Sequence, residues 1–558
     1  TVRGQFSVNR KYSNGERFID PLSSKTTASP RDGGHNLGDL YVDNGNNLSW
    51  NANAALYYTR SFNKHNLNLS VAWEASSGSS DATSAHYRGF PNGQFHSPNY
   101  AAEIYEKPSR TEGTSRMVST WATGNYTWND IYLADFSVRF DGSSDFGSKQ
   151  RWAPFFSGGL GVNIHNYEFL KGNEIVNKLK VRASYGRTGK ASFPSYSATT
   201  MYEALFDEWY ATGFGAVLKA LGNNNLTWEK TDKFNVGIEM QFLNRRLTVD
   251  ADYYHDKTID LVNDVSLSQT SGFSSYKDNM GEVLNQGFEL QVRGEVFRNR
   301  DWLVALWGNM AHNQNKIVKI SDSQRAYNLR VEQFYQNSAN EEYGRYNAQY
   351  AVPISQYEEG QSLTSIWAVK SLGIDPTTGK EIFLNRDGSV SDTWNATQEV
   401  AVGNTEPKFN GSIGFNAAYK QWSLFAAFQY EWGGQEYNQT LVDRVENARI
   451  QYQNVDLRVL TDRWKQPGDI AQFKDIKNAD SATMPTSRFV QDKAYLRLSA
   501  LTLSYDFNRE WIKKYLGINM LRLEASTRDF INWNSIRQER GLSYPKSWTV
   551  DFSIKAQF

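Results

Sequence analysis

The segment Trp548-Thr-Val-Asp-Phe-Ser-Ile-Lys-Ala-Gln-Phe558 sorts its residues by parity. Trp548, Val550, Phe552, Ile554, Ala556 and Phe558 fall on one side, Thr549, Asp551, Ser553, Lys555 and Gln557 on the other. Successive side chains of an extended strand point to opposite faces, so this alternation describes a strand with one apolar and one polar face. The pattern recurs at Phe234/Val236/Ile238/Met240/Phe242, Leu247/Val249/Ala251/Tyr253, Leu179/Val181/Ala183/Tyr185, Tyr132/Ala134/Phe136/Val138/Phe140 and Leu501/Leu503/Tyr505/Phe507. No segment sustains a helical period comparably, and the chain reads as all-β.

The alternation criterion yields about sixteen strands. Their spans are 1–10, 50–61, 63–75, 116–127, 131–140, 154–164, 178–187, 231–242, 246–256, 286–297, 302–313, 411–420, 422–432, 493–507, 520–531 and 547–558. Tight links at Phe62, Trp128-Asn-Asp130, Leu243-Asn-Arg245, Arg298-Asn-Arg-Asp301 and Gln421 alternate with long ones at 11–49, 76–115, 188–230, 257–285, 314–410 and 433–492. Links 165–177 and 508–519 are intermediate and fall on the short side. A sandwich has no reason to gather its long loops at one end. An outer-membrane barrel does, because its periplasmic turns are short and its extracellular loops long. Trp128, Trp302, Trp422 and Trp548 stand near strand ends, where an interfacial aromatic girdle places them.

Composition fits a barrel. The 558 residues carry 60 Lys+Arg against 60 Asp+Glu, which argues against a nucleic-acid binder with a basic excess. Mean hydropathy is −0.62 although aromatics reach 14%. That combination is expected when one strand face meets lipid, the other meets water, and rings line the interfaces. No apolar run approaches the ~18 residues of a transmembrane helix. With no cysteine, the chain has no disulfide, thiolate metal site or Cys nucleophile. It begins Thr-Val-Arg-Gly, without initiator Met or signal peptide, and so reads as a processed or truncated product.

Several longer stretches carry a more specific signal. They are Arg139-Phe-Asp-Gly-Ser-Ser-Asp-Phe-Gly147, Arg151-Trp-Ala-Pro-Phe-Phe-Ser-Gly-Gly-Leu-Gly161, Leu179-Lys-Val-Arg-Ala-Ser-Tyr-Gly-Arg-Thr-Gly189 and Leu221-Gly-Asn-Asn-Asn-Leu-Thr-Trp-Glu-Lys-Thr231. Further on come Phe234-Asn-Val-Gly-Ile238, Asp252-Tyr-Tyr-His-Asp-Lys-Thr258, Asn279-Met-Gly-Glu-Val-Leu-Asn-Gln-Gly-Phe-Glu-Leu290, Gly373-Ile-Asp-Pro-Thr-Thr-Gly-Lys380, Val402-Gly-Asn-Thr-Glu-Pro-Lys408, Asp462-Arg-Trp464 and Tyr495-Leu-Arg-Leu498. These stretches resemble the SusC/RagA family of TonB-dependent outer-membrane transporters, from about residue 130 onward and in the family's order. The resemblance implies a barrel of 22 strands, of which about sixteen are here, with residues 1–558 as its C-terminal barrel portion. A plug and N-terminal domain are expected outside this chain. It further implies import of oligosaccharides or oligopeptides, with a SusD-like surface lipoprotein as a hinged lid and TonB acting through the plug. Alternatives are a passive porin of sixteen strands, and an adhesin or enzyme carried on a barrel anchor.

No enzymatic signature is found. The seven histidines show no zinc-type spacing, and there is no G-x-S-x-G elbow or P-loop. Gly158-Gly-Leu-Gly161 lies inside an alternating strand and reads as strand packing. Glu341-Glu342 and Glu358-Glu359 read as solvated loop acids. Asp375-Pro-Thr-Thr-Gly-Lys380 and Asn385-Arg-Asp-Gly388 offer oxygen ligands but miss the calcium-loop spacing. They read instead as turns flanking a short strand, Glu381-Ile-Phe-Leu384. No cofactor and no metal site is expected. The ligand-contact candidates are aromatic loop residues able to stack on a sugar ring or grip a peptide: Trp209, Tyr210, Tyr343, Tyr346 and Trp367. The competing reading is that such rings pack the loops or meet a partner protein.

Overall fold

A computed structural model of the chain describes residues 1–23, 37–147, 149–190, 196–266, 275–279, 281–340, 352–448, 450, 455–478, 483–507, 509–536 and 548–557. Its body is one antiparallel sheet of seventeen hydrogen-bonded segments. In chain order these are β1 (Val2–Ile19), β2 (Asp39–Phe62), β3 (His65–Arg88), β4 (Glu103–Trp128), β5 (Tyr132–Ser143), β6 (Trp152–Asn163), β7 (Val176–Lys190) and β8 (Glu229–Phe242). Then follow β9 (Leu247–Ile259), β10 (Glu282–Arg298), β11 (Trp302–Lys319), β12 (Phe409–Tyr419), β13 (Trp422–Tyr437), β14 (Val490–Asp506), β15 (Met520–Arg528, resuming at Asn532–Asn534) and β16 (Thr549–Gln557). Both pieces of β15 pair with β14 around a bulge at 529–531, so seventeen segments make the sixteen strands expected. Each strand pairs with its neighbours in sequence. Among the described residues β1 pairs only with β2 and β16 only with β15.

Tight turns and long links alternate as the sequence indicates. The tight turns carry the left-handed residues Asn63 (φ 50°), Asn129 (54°), Asp130 (55°), Leu243 (56°), Asn244 (56°), Arg245 (65°) and Lys420 (52°). Such turns match the right-handed twist of the flanking strands. The one-residue links expected at Phe62 and Gln421 are each two residues, Asn63-Lys64 and Lys420-Gln421, since Phe62 pairs with His65 and Tyr419 with Trp422. Two residues is the shortest common hairpin loop. Three of the four tryptophans stack at this end: Trp128 on Tyr132 (5.3 Å), Trp302 by Tyr419 (4.5 Å) and Trp422 by Tyr505 (4.8 Å). Trp548 lies at the other end against Phe530, 5.0 Å away.

Two long links are shorter than the alternation suggests. β2 and β3 have 24 residues each and β4 has 26, so the links at 11–49 and 76–115 shrink to 20–38 and 89–102. About 9–11 residues cross a bilayer, and at about 3.3 Å per residue a 24-residue strand is roughly 80 Å long. The extra length is polar on both faces, as in the pairs Asn46↔Asp81 and Ser80↔Gly113. Alternation disappears there while the backbone ladder continues.

The link after β11 opens with a helix, α1 (Asp322–Asn340), which no sustained apolar period announces. A capping box starts it. Gln324 N donates to Ser321 Oγ (3.1 Å) and Ser321 N to Gln324 Oε1 (2.9 Å). Val331 and Tyr335 are buried one turn apart. Downstream, Glu381–Leu384 is the middle strand of a three-stranded sheet with Lys370–Ile374 and Val390–Ser391, the excursion expected from its flanking turns. The link from β14 to β15 holds a second helix, α2 (Arg509–Leu516).

Three of the family-like stretches meet at β6. Phe146 (2% exposed) stacks on Trp228 at 4.2 Å, Phe155 meets Trp228 edge-on at 5.5 Å, and Gly147 N donates to Leu226 O (3.2 Å). A Cβ on Gly147 would stand 2.1 Å from the Asn224 carbonyl oxygen, so the approach requires glycine there. Trp228→Ala is expected to lower the stability of the folded sheet by about 3–5 kcal/mol, the usual cost of emptying a buried aromatic site. The urea midpoint in detergent, read by far-UV circular dichroism, checks this.

Candidate functional site

The links after β11 and after β13 join into one cap over the long-loop end of the sheet. Val369 bridges Thr486, with Val369 N donating to Pro485 O (3.2 Å) and Ser487 N to Val369 O (3.0 Å). Trp394 Nε1 donates to Pro485 O (3.0 Å) and Trp464 Nε1 to Pro376 O (2.9 Å). An apolar cluster of Leu441, Val442, Val445, Ala448, Val459, Phe473 and Phe489 fills the second link. Val331, Tyr335 and Ala396 fill the first.

Arg488 ties the halves together electrostatically. Its Nη2 lies 2.8 Å from Glu381 Oε2 and 2.7 Å from Glu446 Oε1, and Glu446 is fully buried. Burial opposes the Arg488 charge, but the Glu446 and Glu381 carboxylates outweigh it and hold the guanidinium above its ordinary pKa. Arg463 donates to the Glu446 and Lys474 carbonyls at 2.9 and 2.8 Å. Glu399 is 1% exposed, receives Gln356 Nε2, and is pushed up to about 8 by burial and then by the nearby Glu332 charge.

Beneath the cap lies a cleft of about 940 Å³. It forms because β12 starts late. β11 and β12 pair only as far as Ala311↔Asn410, and β12 and β13 only to Phe409↔Trp432. Beyond those pairs β11 and β13 rise separately, and cap residues 360–365 and 401–408 occupy part of the gap. Amides and acids line it. Asn315 N approaches Glu406 Oε2 (3.3 Å), Leu363 N donates to Asn315 Oδ1 (2.8 Å), and Asn404 N donates to Gln435 Oε1 (3.2 Å). Gln435 Nε2 donates to Asp492 Oδ1 (3.2 Å), and Trp432, 65% exposed on the outward parity it shares with Trp422 and 6.1 Å from Phe409, marks the outer edge of the gap beside Gly433 (φ 81°). A polar recess lined by amides and acids can bind a molecule rich in hydrogen-bonding groups.

The candidate aromatics are dispersed. Trp209 and Tyr210 lie at the tip of a hairpin, Met201–Tyr210 with Gly213–Ala220, and Tyr210 is 64% exposed. Tyr343 and Tyr346 fall outside the described residues, as do Glu341 and Glu342. Trp367 is 1% exposed and its Nε1 has no partner among the described residues. Its neighbour Ser365 and its strand partner Ala401 line the cleft. The cleft residues Asn313, Asn315 and Trp432 carry no loop signal, because they sit on strands. The stretch Val402–Lys408 did carry one: it supplies much of one wall.

Glu358 and Glu359 lie near Arg386 and Arg325 (3.9 and 3.6 Å). Asp375 accepts from Thr377 N (2.9 Å) and Thr378 Oγ1 (2.6 Å), and Asp387 from Ser389 N and Oγ (2.9 and 2.6 Å). The Thr378 hydroxyl, then the Thr377 amide, hold the Asp375 carboxyl below its usual range. These carboxylates cap turns, as their sequence context suggests. Among the described residues no three His, Asp or Glu converge as a metal site. On the polar parity of the sheet, Glu239 receives Lys178 (2.6 Å) and Lys180 (3.1 Å), and Arg182 reaches Asp252 (2.6 Å).

An up-and-down sheet with apolar rows outward, rings at the strand ends and a cap of long links defines an outer-membrane barrel wall. The chain belongs to the family described as "TonB dependent receptor-like, beta-barrel", which matches residues 2–526. TonB-dependent receptor SusC of Bacteroides thetaiotaomicron is 25% identical over 554 residues, covering 92% of this chain and 52% of SusC. TonB-dependent receptor P3 of Formosa agariphila is 26% identical over 513 residues, covering 88% of this chain and 48% of that protein. The chain thus spans about half the length of the curated relatives it matches. The RagAB peptide transporter structure superposes with a TM-score of 0.81 at 22% identity, over 100% of this chain and 60% of that one. The apolar parity therefore faces outer-membrane lipid, the tight turns the periplasm, and the cap the cell exterior.

Arg488→Met leaves Glu446 buried and unpaired, a change expected to cost about 3–5 kcal/mol. Limited proteolysis should cut the cap of this variant while the barrel keeps its heat-modifiable gel mobility. A second outcome follows from Glu399. Its folded pKa of about 8 exceeds the ordinary glutamate value of 4.5, so the fold favours the protonated form. Its contribution is fully present below about 4.5 and is lost as pH rises through about 8. Cap protection against proteolysis should fall from pH 5 to pH 8 in the native chain and stay flat in Glu399→Gln.

Proposed function

We propose that residues 1–558 are the barrel portion of an active importer of oligosaccharides or oligopeptides. Family membership across nearly the whole chain carries this reading. In it, a plug and the remaining strands come from sequence outside this stretch. A SusD-like surface lipoprotein covers the cap, and TonB opens the plug with energy from the inner-membrane proton gradient. The chain contributes a wall, a polar inner face and a docking surface, and performs no covalent chemistry. Cargo rests on the amides of the cleft and on the aromatic residues Trp209, Tyr210, Tyr343, Tyr346 and Trp367.

Among the described residues the outer sides of β1 and β16 have no strand partner, which favours this reading over a porin that closes on sixteen strands. Cells carrying the full-length protein should accumulate labelled oligosaccharide or oligopeptide, and lose that uptake when TonB is deleted. Whichever pool accumulates names the cargo class. Gln435→Ala, which removes an amide lining the cleft, is expected to raise the half-saturating cargo concentration about tenfold, about 1.4 kcal/mol. Steady open-pore conductance of the full-length protein in planar bilayers, without TonB, would overturn the importer reading.

A further inference from the structure

At the periplasmic end the row of rings on the lipid-facing parity does not stop at the last strand residue. Trp422 lies 4.8 Å from Tyr505, Tyr505 5.0 Å from Phe507, Phe507 6.3 Å from Trp511, and Trp511 5.8 Å from Tyr515. The first two rings belong to paired strand residues whose row continues upward as Leu424 and Leu503. The last two stand on α2, one helical turn apart. The aromatic girdle of the barrel thus runs without interruption onto a helix.

The helix is built for an interface. At 3.6 residues per turn its eight residues form about two turns, roughly 12 Å long. Ile512 is fully buried and fixes one side to the protein, helped by buried Ile518 just beyond the helix. Trp511 and Tyr515 are 50% and 63% exposed on the adjoining side. Lys513 and Lys514 are exposed in the last turn, and the Lys514 ammonium lies 5.3 Å from the Tyr515 ring centre. Rings this open would be costly in water, yet they extend a surface that already lies in lipid. A short helix with exposed rings flanked by lysines settles at the boundary between acyl chains and headgroups.

We infer that α2 is an interfacial foot of the barrel: Trp511 and Tyr515 rest in the periplasmic leaflet, and Lys513 and Lys514 bind the phosphate groups of anionic phospholipid. The occupant is lipid rather than protein because the ring row is continuous with the lipid-facing girdle. The inference rests on the membrane barrel alone and stands or falls independently of the cargo.

The chain contains no cysteine, so a single introduced thiol is unique within it. Tyr515→Cys and, as a cap control, Gly388→Cys are labelled with a polarity-sensitive fluorophore on the full-length protein. The protein is reconstituted in vesicles of phosphatidylethanolamine with phosphatidylglycerol. Heat-modifiable gel mobility confirms that each variant is folded. The Tyr515 label should be blue-shifted relative to Gly388 and quenched several-fold more by lipid spin-labelled high on the acyl chain than by aqueous iodide. Native mass spectrometry should show phosphatidylglycerol retained over phosphatidylcholine, and that preference should fall several-fold in Lys513→Gln/Lys514→Gln. Iodide quenching of the Tyr515 label equal to that of the control overturns the inference. So does equal retention of the two lipids by the native protein, or a preference unchanged in the double variant.

Discussion

Inside a bilayer no water is at hand to satisfy a backbone N–H or C=O, and each unpaired group costs several kcal/mol. A chain that crosses with strands must therefore pair every membrane-embedded residue with a neighbour. The sheet described here follows that requirement from β1 to β16, with each strand bonded to the next in sequence. Nearest-neighbour pairing in turn requires tight reversals at one end, hence the run of positive-φ residues from Asn63 to Lys420. The same requirement leaves the other end free to elaborate. Once β2, β3 and β4 leave the lipid they keep their ladder with serine, asparagine and threonine, because water tolerates those side chains on both faces.

Above the membrane the controlling interaction changes from backbone pairing to packing and buried charge. Arg488 holds two glutamates from different links, and around it the cap has its own apolar clusters. A buried ion network adds little net stability compared with apolar packing, but removing one member is costly. Such a network suits a lid-like body that must keep one arrangement over a cleft. The cleft arises where sheet and cap meet, because β12 starts several residues later than its neighbours continue.

Much of this was legible in the sequence. Alternation located all sixteen strands, and link lengths told one end from the other. Three features were hidden for physical reasons. The strand extensions at Asn44–Asn47 and Ser76–Ser84 lie in water, so apolar periodicity has no cause there. Helix α1 buries too narrow a stripe to show a period, although Ser321-Asp-Ser-Gln324 was a readable start signal. The cleft depends on which strands stop early, and its residues Asn313 and Trp432 look like ordinary strand positions. Aromatic loop composition pointed instead to Tyr210 and Trp367, one exposed at a hairpin tip and the other enclosed within the cap. Side-chain type alone does not distinguish those environments.

The bridge between Val369 and Thr486 joins residues more than a hundred positions apart, whereas the strands of the sheet pair with sequence neighbours. Assembly of the molecule is correspondingly ordered. Hairpins can zip one after another with short loop closures, but the cap waits until both of its links are present and the strands between them are in register. The cap is therefore a late and separable layer of the fold. Its sequence can drift, lengthen or be exchanged with little consequence for insertion of the wall beneath it, which lets one membrane scaffold carry successive outer surfaces over evolutionary time.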